Sequence, residues 1–374
     1  MPLPASRRFV KRVLRFVLTL AGVFLLGAIL FAVRCASGGG PPKVISPAAV
    51  ERQKITADIK DYARPEVGTY LSYPEWYIVW SYQERADFQE TRLPTRFPFF
   101  GAIGQYWSGY CCTYGFTRGR YPFDIGDHVM LAVIGTSFSF EYVIRGVYES
   151  TVGRFTEWLS GHQPVEEDRY AYRVAREYAD FVHIRPFYEF SFWKEFKGLW
   201  RQTSWWGPHP LRKFERKAFL AIDYSLQSFY CWLIEQMTHA SYGYESADTY
   251  AWIENAPADL FTAIPRIRKV KEVAAGTFIV IIPRYQEFTA IASQLAARDV
   301  HFVEIAGNDE VLLTVLAPRD YSDDGRDGQV LFSNGVLTRP DLRRIGVRTP
   351  VAALHSVLSS MTSHRLTIEH IYDY

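Results

Sequence analysis

Six residues carry side chains suited to proton transfer: Glu75, Asp124, Asp127, His128, Glu141 and Arg145. Two of their carboxylates, facing each other across a pocket at about 5–10 Å, would suit hydrolysis of a glycan or a lipid headgroup. Glu75 is the most unusual. It is the only charge in LSYPEWYIVW (71–80), and a carboxylate held among Tyr73, Trp76, Tyr77 and Trp80 would have a raised pKa. Each of the six also has a structural explanation. Ser72 and Glu75 stand at capping-box spacing, with Leu71 and Trp76 at the staple positions and Pro74 in the first turn. Asp124 and Asp127 introduce a helix expected to run to about residue 159. On it Glu141, Arg145 and Glu149 recur every four residues, the spacing of surface ion pairs. His128 next to Asp127 lacks any nucleophile in a recognisable motif.

A second set points to a surface rather than to catalysis. Trp205 and Trp206 lie in the loop TSWWGPHP (203–210), and Arg212, Lys213, Arg216 and Lys217 follow at once. Indole rings at headgroup level with cations on phosphates would make a membrane-surface contact. No cofactor or metal site is expected. The nine histidines show no HxxxH, HxH or HExxH spacing, and no GxGxxG, GxxxxGK[ST] or GxSxG motif occurs.

The elements that position these residues begin with the amino terminus. Arg7, Arg8, Lys11, Arg12 and Arg15 precede 18 uncharged residues, 16–33. As a helix that run spans about 27 Å, close to the roughly 30 Å hydrocarbon core. Flanking charge places the amino terminus in the cytoplasm and the bulk of the chain outside it. The reading is a single-pass anchor in a plasma (inner) membrane, longer than the core of a cleaved signal. A basic tail (1–15) precedes it, and a linker (34–65), opening with a Gly- and Pro-rich tether, follows.

Composition narrows the remainder. Forty-two basic against 40 acidic residues give +2 overall, which argues against a bulk-charge partner such as nucleic acid. Aromatics make up 16% of the chain and concentrate in 66–260, where helical spacing recurs. Residues 97–117 carry no charge and read as a packed or interfacial helix, with a second membrane segment as the alternative. The long helix from Leu211 to about Ala240 carries Phe214, Ala218, Ile222, Ser225, Phe229, Trp232 and Gln236 along one stripe. Cys35, Cys111, Cys112 and Cys231 read as small buried hydrophobes, with a bond from the adjacent pair to Cys231 as the alternative.

From 265 to 374 the pattern becomes strand, helix, strand, strand, hairpin, helix, strand. Asn334-Gly335 is the expected hairpin turn, and the order matches a ferredoxin-like split βαβ domain. The fold class is therefore α+β: a transmembrane helix, an aromatic-rich helical domain (66–260) and a ferredoxin-like domain (265–374). The function it suggests is structural or interactive, with the lipid bilayer and a protein partner or second copy as partners. A membrane-surface enzyme using Glu75, Asp124, Asp127 and Glu141 is the alternative.

Overall fold

The structure, a computed structural model, describes residues 40–241, 247–322 and 328–374 and isolated positions between 15 and 33. The expected basic tail and anchor lie outside the described residues except at those positions, which are helical and exposed. The fold is mixed helical and sheet, with helices first and two antiparallel four-stranded sheets in the carboxy-terminal part.

Helix α1 (Pro47–Thr56) starts at Ser46, whose hydroxyl accepts from the Ala49 amide at 3.1 Å. It falls within the expected linker and, with Ile59 and Tyr62, packs on Trp252 and Ile279 of the first sheet. Helix α2 (Gly68–Leu71) then runs straight into α3 (Tyr73–Thr91). This overturns the capping box. Ser72 is itself helical, and its hydroxyl turns back to the Thr69 carbonyl at 3.4 Å. The Ser72 amide, which the Glu75 carboxylate would have served in a capping box, already donates to the Gly68 carbonyl at 3.0 Å in the preceding turn.

Helix α4 (Phe99–Thr117) packs against α3 and α5 (Ile125–Tyr148), which begins where the Asp124 carboxylate accepts from the Gly126 amide at 2.6 Å. Two glycines allow the approach: a Cβ at Gly109 would meet the ring of Tyr73, and one at Gly135 the ring of Tyr106. A π turn (Glu149–Gly153) carries α5 into α6 (Arg154–Leu159). Then come α7 (Glu166–Val182), α8 (Phe192–Gln202) and α9 (Pro210–Ser241). The core between them is aromatic, built from Tyr73, Tyr77, Tyr82, Tyr106, Phe138, Tyr142 and Tyr178. Buried tyrosine hydroxyls find acceptors there, as Tyr106 does on the Leu131 carbonyl at 2.7 Å.

The strands correct the expectation of one split-βαβ sheet. The first sheet holds β1 (Asp248–Glu254), β2 (Arg268–Ala274), β3 (Thr277–Pro283) and β4 (His301–Ile305), in the order β2-β3-β1-β4. The second holds β5 (Glu310–Pro318), β6 (Gln329–Val336), β7 (Arg339–Pro350) and β8 (Thr367–Ile371), in the order β6-β7-β5-β8. Helix α10 (Leu260–Ala263) precedes β2, α11 (Gln286–Ala296) joins β3 to β4, and α12 (Leu354–Ser363) joins β7 to β8. Each half is thus a split βαβ with a hairpin added, and the two halves repeat.

The repetition extends to single residues. Asp248 pairs with Pro283 as Glu310 pairs with Pro350, and Ala251 pairs with Ile305 as Leu313 pairs with Ile371. The register slips at the same point, between Trp252 and Ile253 and between Thr314 and Val315. One apolar core joins the halves, and α11 touches β8 while α12 touches β4. Asn334 and Gly335 are not the turn. They pair with Arg344 and Arg343, and the chain reverses at Leu337 and Thr338, between Val336 and its partner Arg339.

The sheets are fixed to the helical part by buried charge and rings. Arg344 donates to Glu369 at 2.7 Å and to Glu84 of α3 at 3.1 Å, and Trp76 lies 3.8 Å from the His370 ring. Burial, with repulsion from His183 and Arg284, holds the His370 pKa well below the usual imidazole range.

Candidate functional site

The six acid–base candidates do not form one site. Asp124, Asp127 and His128 lie at the start of α5, where His128 Nδ1 is 2.9 Å from the Tyr110 hydroxyl and its ring stacks on Phe123. Glu141 and Arg145 lie fourteen residues further along, about 21 Å for an α-helix. That exceeds the span over which two carboxylates act on one bond. Glu75 is on α3, half-buried beside Tyr106.

Glu141 and Arg145 do share a network, but it faces inward. Arg145 is 3.0 Å from Glu141 and 2.8 Å from Asp223 of α9, while Arg85 and the Tyr82 hydroxyl close on Glu141 at 3.3 and 2.8 Å. Glu149 is buried against Arg216 at 2.8 Å. The expected solvated ion-pair face is therefore an interior one.

The cations of α9 are corrected in the same sense. Arg212, Lys213, Arg216 and Lys217 are 1%, 3%, 1% and 3% exposed. Arg212 and Arg216 meet Asp168 at 3.2 and 2.8 Å, and Lys213 and Lys217 meet Glu167 at 3.2 and 3.4 Å. Three acids at the start of α7, Glu166, Glu167 and Asp168, draw the cations in. They cannot meet a headgroup. Trp205 and Trp206 do stand out from the surface, Trp206 at 84% exposed. Glu166, at the rim, accepts from the Ser204 amide and hydroxyl and from Lys213, which holds its pKa down at about 2.

With charge turned inward, the apolar stripe of α9 turns outward. Every exposed position from Leu211 to Leu233 is apolar: Leu211, Phe214, Ala218, Ile222, Leu226, Phe229, Trp232 and Leu233. Helix α5 runs antiparallel beside it, joined through Arg145–Asp223, Arg216–Glu149 and the stacked rings of Tyr148 and Phe219. Its exposed positions, Ile125, Gly126, Val129, Met130, Val133 and Val147, are uncharged as well, and Val152, Phe155 and Trp158 continue the surface through α6. Ile125–Leu159 is the one helical run among the described residues long and apolar enough to cross a membrane, by length and composition. Helix α8, on the other flank of α9, exposes Trp193 with Lys194, Lys197 and Arg201. Helix α7 is ordinary, with Glu166, Arg169, Glu177 and Asp180 in water.

Two further features have binding geometry. A cavity of about 620 Å³ lies between the segment 41–46 and the sheets, lined by Lys43, Arg52, Arg120, Asp309 and Glu310 among others. Its charges are paired: Lys43 bridges Glu66 and Asp309, and Arg348 with Arg120 hold Glu310. Among the described residues, Asp299, His301 and His355 bring one ligand atom each within 4.8 Å of one another. Spacing missed that cluster because His355 belongs to a distant helix. Cys111 is disulfide-bonded while Cys112 and Cys231 are free, so the bond to Cys231 does not form.

No family model, curated protein or solved structure matches the chain.

Proposed function

We propose that this protein is a membrane-surface structural or interaction protein, held by its amino-terminal segment and resting on the bilayer through α5, α6 and α9. The carrying observation is the inversion of α9, whose four cations are inside while its exposed positions are apolar. Soluble domains rarely expose so continuous an apolar surface, and such faces mark contact with lipid or protein. Lipid is favoured because the face is rimmed by exposed tryptophans (Trp158, Trp193, Trp205, Trp206) and by Lys194, Lys197 and Arg201. Rings at headgroup level beside cations suit an anionic surface.

The face lies in the membrane plane and does not cross it. From Leu211 to Leu233 it is about 33 Å long, enough to cross, but α7 packs beside α9 with four charges exposed. A crossing α9 would carry those charges into hydrocarbon, at about 2.5–3.5 kcal/mol each near the centre. Basic residues before 16–33 and the disulfide at Cys111 favour the extracytoplasmic side.

Spin labels on the full chain in anionic proteoliposomes test this. Phe229→Cys and Ile222→Cys should give labels accessible to oxygen and shielded from a water-soluble nickel chelate, whereas Asp180→Cys should give the reverse. Nickel access at all three positions would overturn the reading. Strong spin–spin coupling at Phe229→Cys would assign the face to a second copy instead.

A further inference from the structure

We propose that Asp299, His301 and His355 bind one divalent transition-metal ion of the late first row, zinc being the ion that suits the donors best. This inference is independent of the membrane reading. The three ligands come from different elements: Asp299 from the turn after α11, His301 from the first position of β4, and His355 from the first turn of α12. Asp299 Oδ1 lies 3.1 Å from His301 Nε2 and 3.3 Å from His355 Nε2. Around a tetrahedral ion with bonds of about 2.0–2.1 Å, donors stand about 3.3 Å apart. The two edges are already at that length, and the third, within 4.8 Å, closes by rotation of partly exposed rings.

The carboxylate is also oriented. Asn255 Nδ2 donates to Asp299 Oδ2 at 3.0 Å and to its carbonyl at 2.7 Å, which leaves Oδ1 for the imidazoles. Such outer hydrogen bonds fix a ligating carboxylate. The two imidazole rings stack at 4.3 Å and both bring Nε2 to the same carboxylate oxygen, Asp299 Oδ1. One divalent ion supplies the charge Asp299 attracts and leaves both rings neutral, the form in which histidine ligates. Two imidazoles and one carboxylate suit zinc, copper, nickel or iron rather than calcium or magnesium, whose ligands are oxygens.

The internal repeat argues that the cluster is not a by-product of the turn. Glu304 and His370 hold equivalent registers, which makes Arg365 the counterpart of Asp299. Both have positive φ (57° and 61°), and the next amide in each case returns to the helix, Leu366 to Met361 and Val300 to Leu295. By the same offset His301 corresponds to Thr367 and His355 to Thr289. The twin corner keeps the backbone and carries no comparable ligand set. A bound ion would tie the turn before β4 to α12, joining one repeat to the other, with its remaining position open to water.

The test uses the full chain in detergent, stripped with a chelator and titrated with Co²⁺ and Zn²⁺. One Co²⁺ per chain should bind with visible d–d bands of a four- or five-coordinate site, and Zn²⁺ should displace it and raise Tm. Asp299→Asn, His301→Gln and His355→Gln should each weaken binding by about 100-fold, and leave Tm unchanged in chelator because the side chains are partly exposed. Failure to bind either ion at about 0.1 mM free metal, where a site of any use would raise Tm, would overturn the proposal. So would binding that survives all three substitutions.

Discussion

Ile222 and Phe229, each 61% exposed on the outer face of α9, provide the sharpest test of the inverted helix. Fully burying such a side chain from water is worth about 1.5–3 kcal/mol, so at that exposure each has roughly 1–2 kcal/mol still to gain from hydrocarbon. Replacing both with Glu forfeits about 3 kcal/mol of that gain. Two carboxylates near the interface cost about 1 kcal/mol more. The sum, about 4 kcal/mol, is close to a thousandfold in partitioning. The assay is flotation of residues 40–374 with vesicles containing anionic lipid, with near-ultraviolet circular dichroism as the control for folding. Substitutions at exposed positions should leave stability within about 0.5 kcal/mol. Arg216→Gln should do the opposite, costing about 3–5 kcal/mol by leaving Glu149 and Asp168 underpaired, while the folded fraction partitions as before. If the double Glu variant floats like the parent, or if Arg216→Gln abolishes binding without loss of stability, the inversion is the wrong explanation.

The remaining expectations concern stability. Burial raises the Glu310 pKa, but the hydrogen bond from Arg348, the charge of Lys43 and the Tyr70 hydroxyl outweigh it and hold the value at about 2, against an ordinary 4.5. Its folded-state pKa is thus below its unfolded one, so its contribution is present above pH 4.5 and is lost as pH falls towards 2. That contribution is about 3 kcal/mol unscreened and about 2 kcal/mol allowing for partial exposure. The stability gap between parent and Glu310→Gln in denaturant titrations should close across that window, and a gap constant from pH 7 to 2 would refute it. Asp373, pushed up to about 7 by burial despite Arg284, acts in the opposite sense between about pH 4 and 7, so the acid limb should be read below that range. Gly135→Ala should cost about 1–3 kcal/mol by overpacking, because the added methyl meets the Tyr106 ring. An unchanged Tm would mean that α4 and α5 are not held at this separation.

Much of the secondary structure was legible because it depends on local signals. Asp124 does start a helix, Pro186 lies just past the end of one, and the runs at 277–282, 301–305 and 310–316 are strands. The two sheets were not legible. β1 and β2 lie before or at the composition change, and β2 (RKVKEVA) exposes much of its length, so neither carries the apolar run that marked the others. Without them the remaining strands fit one split-βαβ sheet, and the repeat disappears. The Asn334-Gly335 signal failed for a related reason. A dipeptide fit for a hairpin turn also fits a strand that slips register, as this strand does beside it.

The site was misread through one assumption, that an amphipathic helix turns its apolar stripe to the core. The stripe Phe214, Ala218, Ile222, Ser225, Phe229, Trp232 and Gln236 does lie along α9, as do the four cations, and of its members only Ser225 is half-buried while the others are exposed. Which side faced in depended on partners outside the helix: Glu167 and Asp168 on α7 and Glu149 at the π turn. A buried cation is tolerable only where carboxylates meet it, and four cations with that many acids to receive them make the charged side the interior one. The sequence did hold a clue. EED at 166–168 and the RK-x-x-RK pattern at 212–217 are complementary charge blocks on two helices, and Glu215 is the single acid inside the basic block. Once those blocks pair, the apolar stripe of α9 has no core left to enter, and a face that reads as ordinary packing becomes the surface that a bilayer would cover.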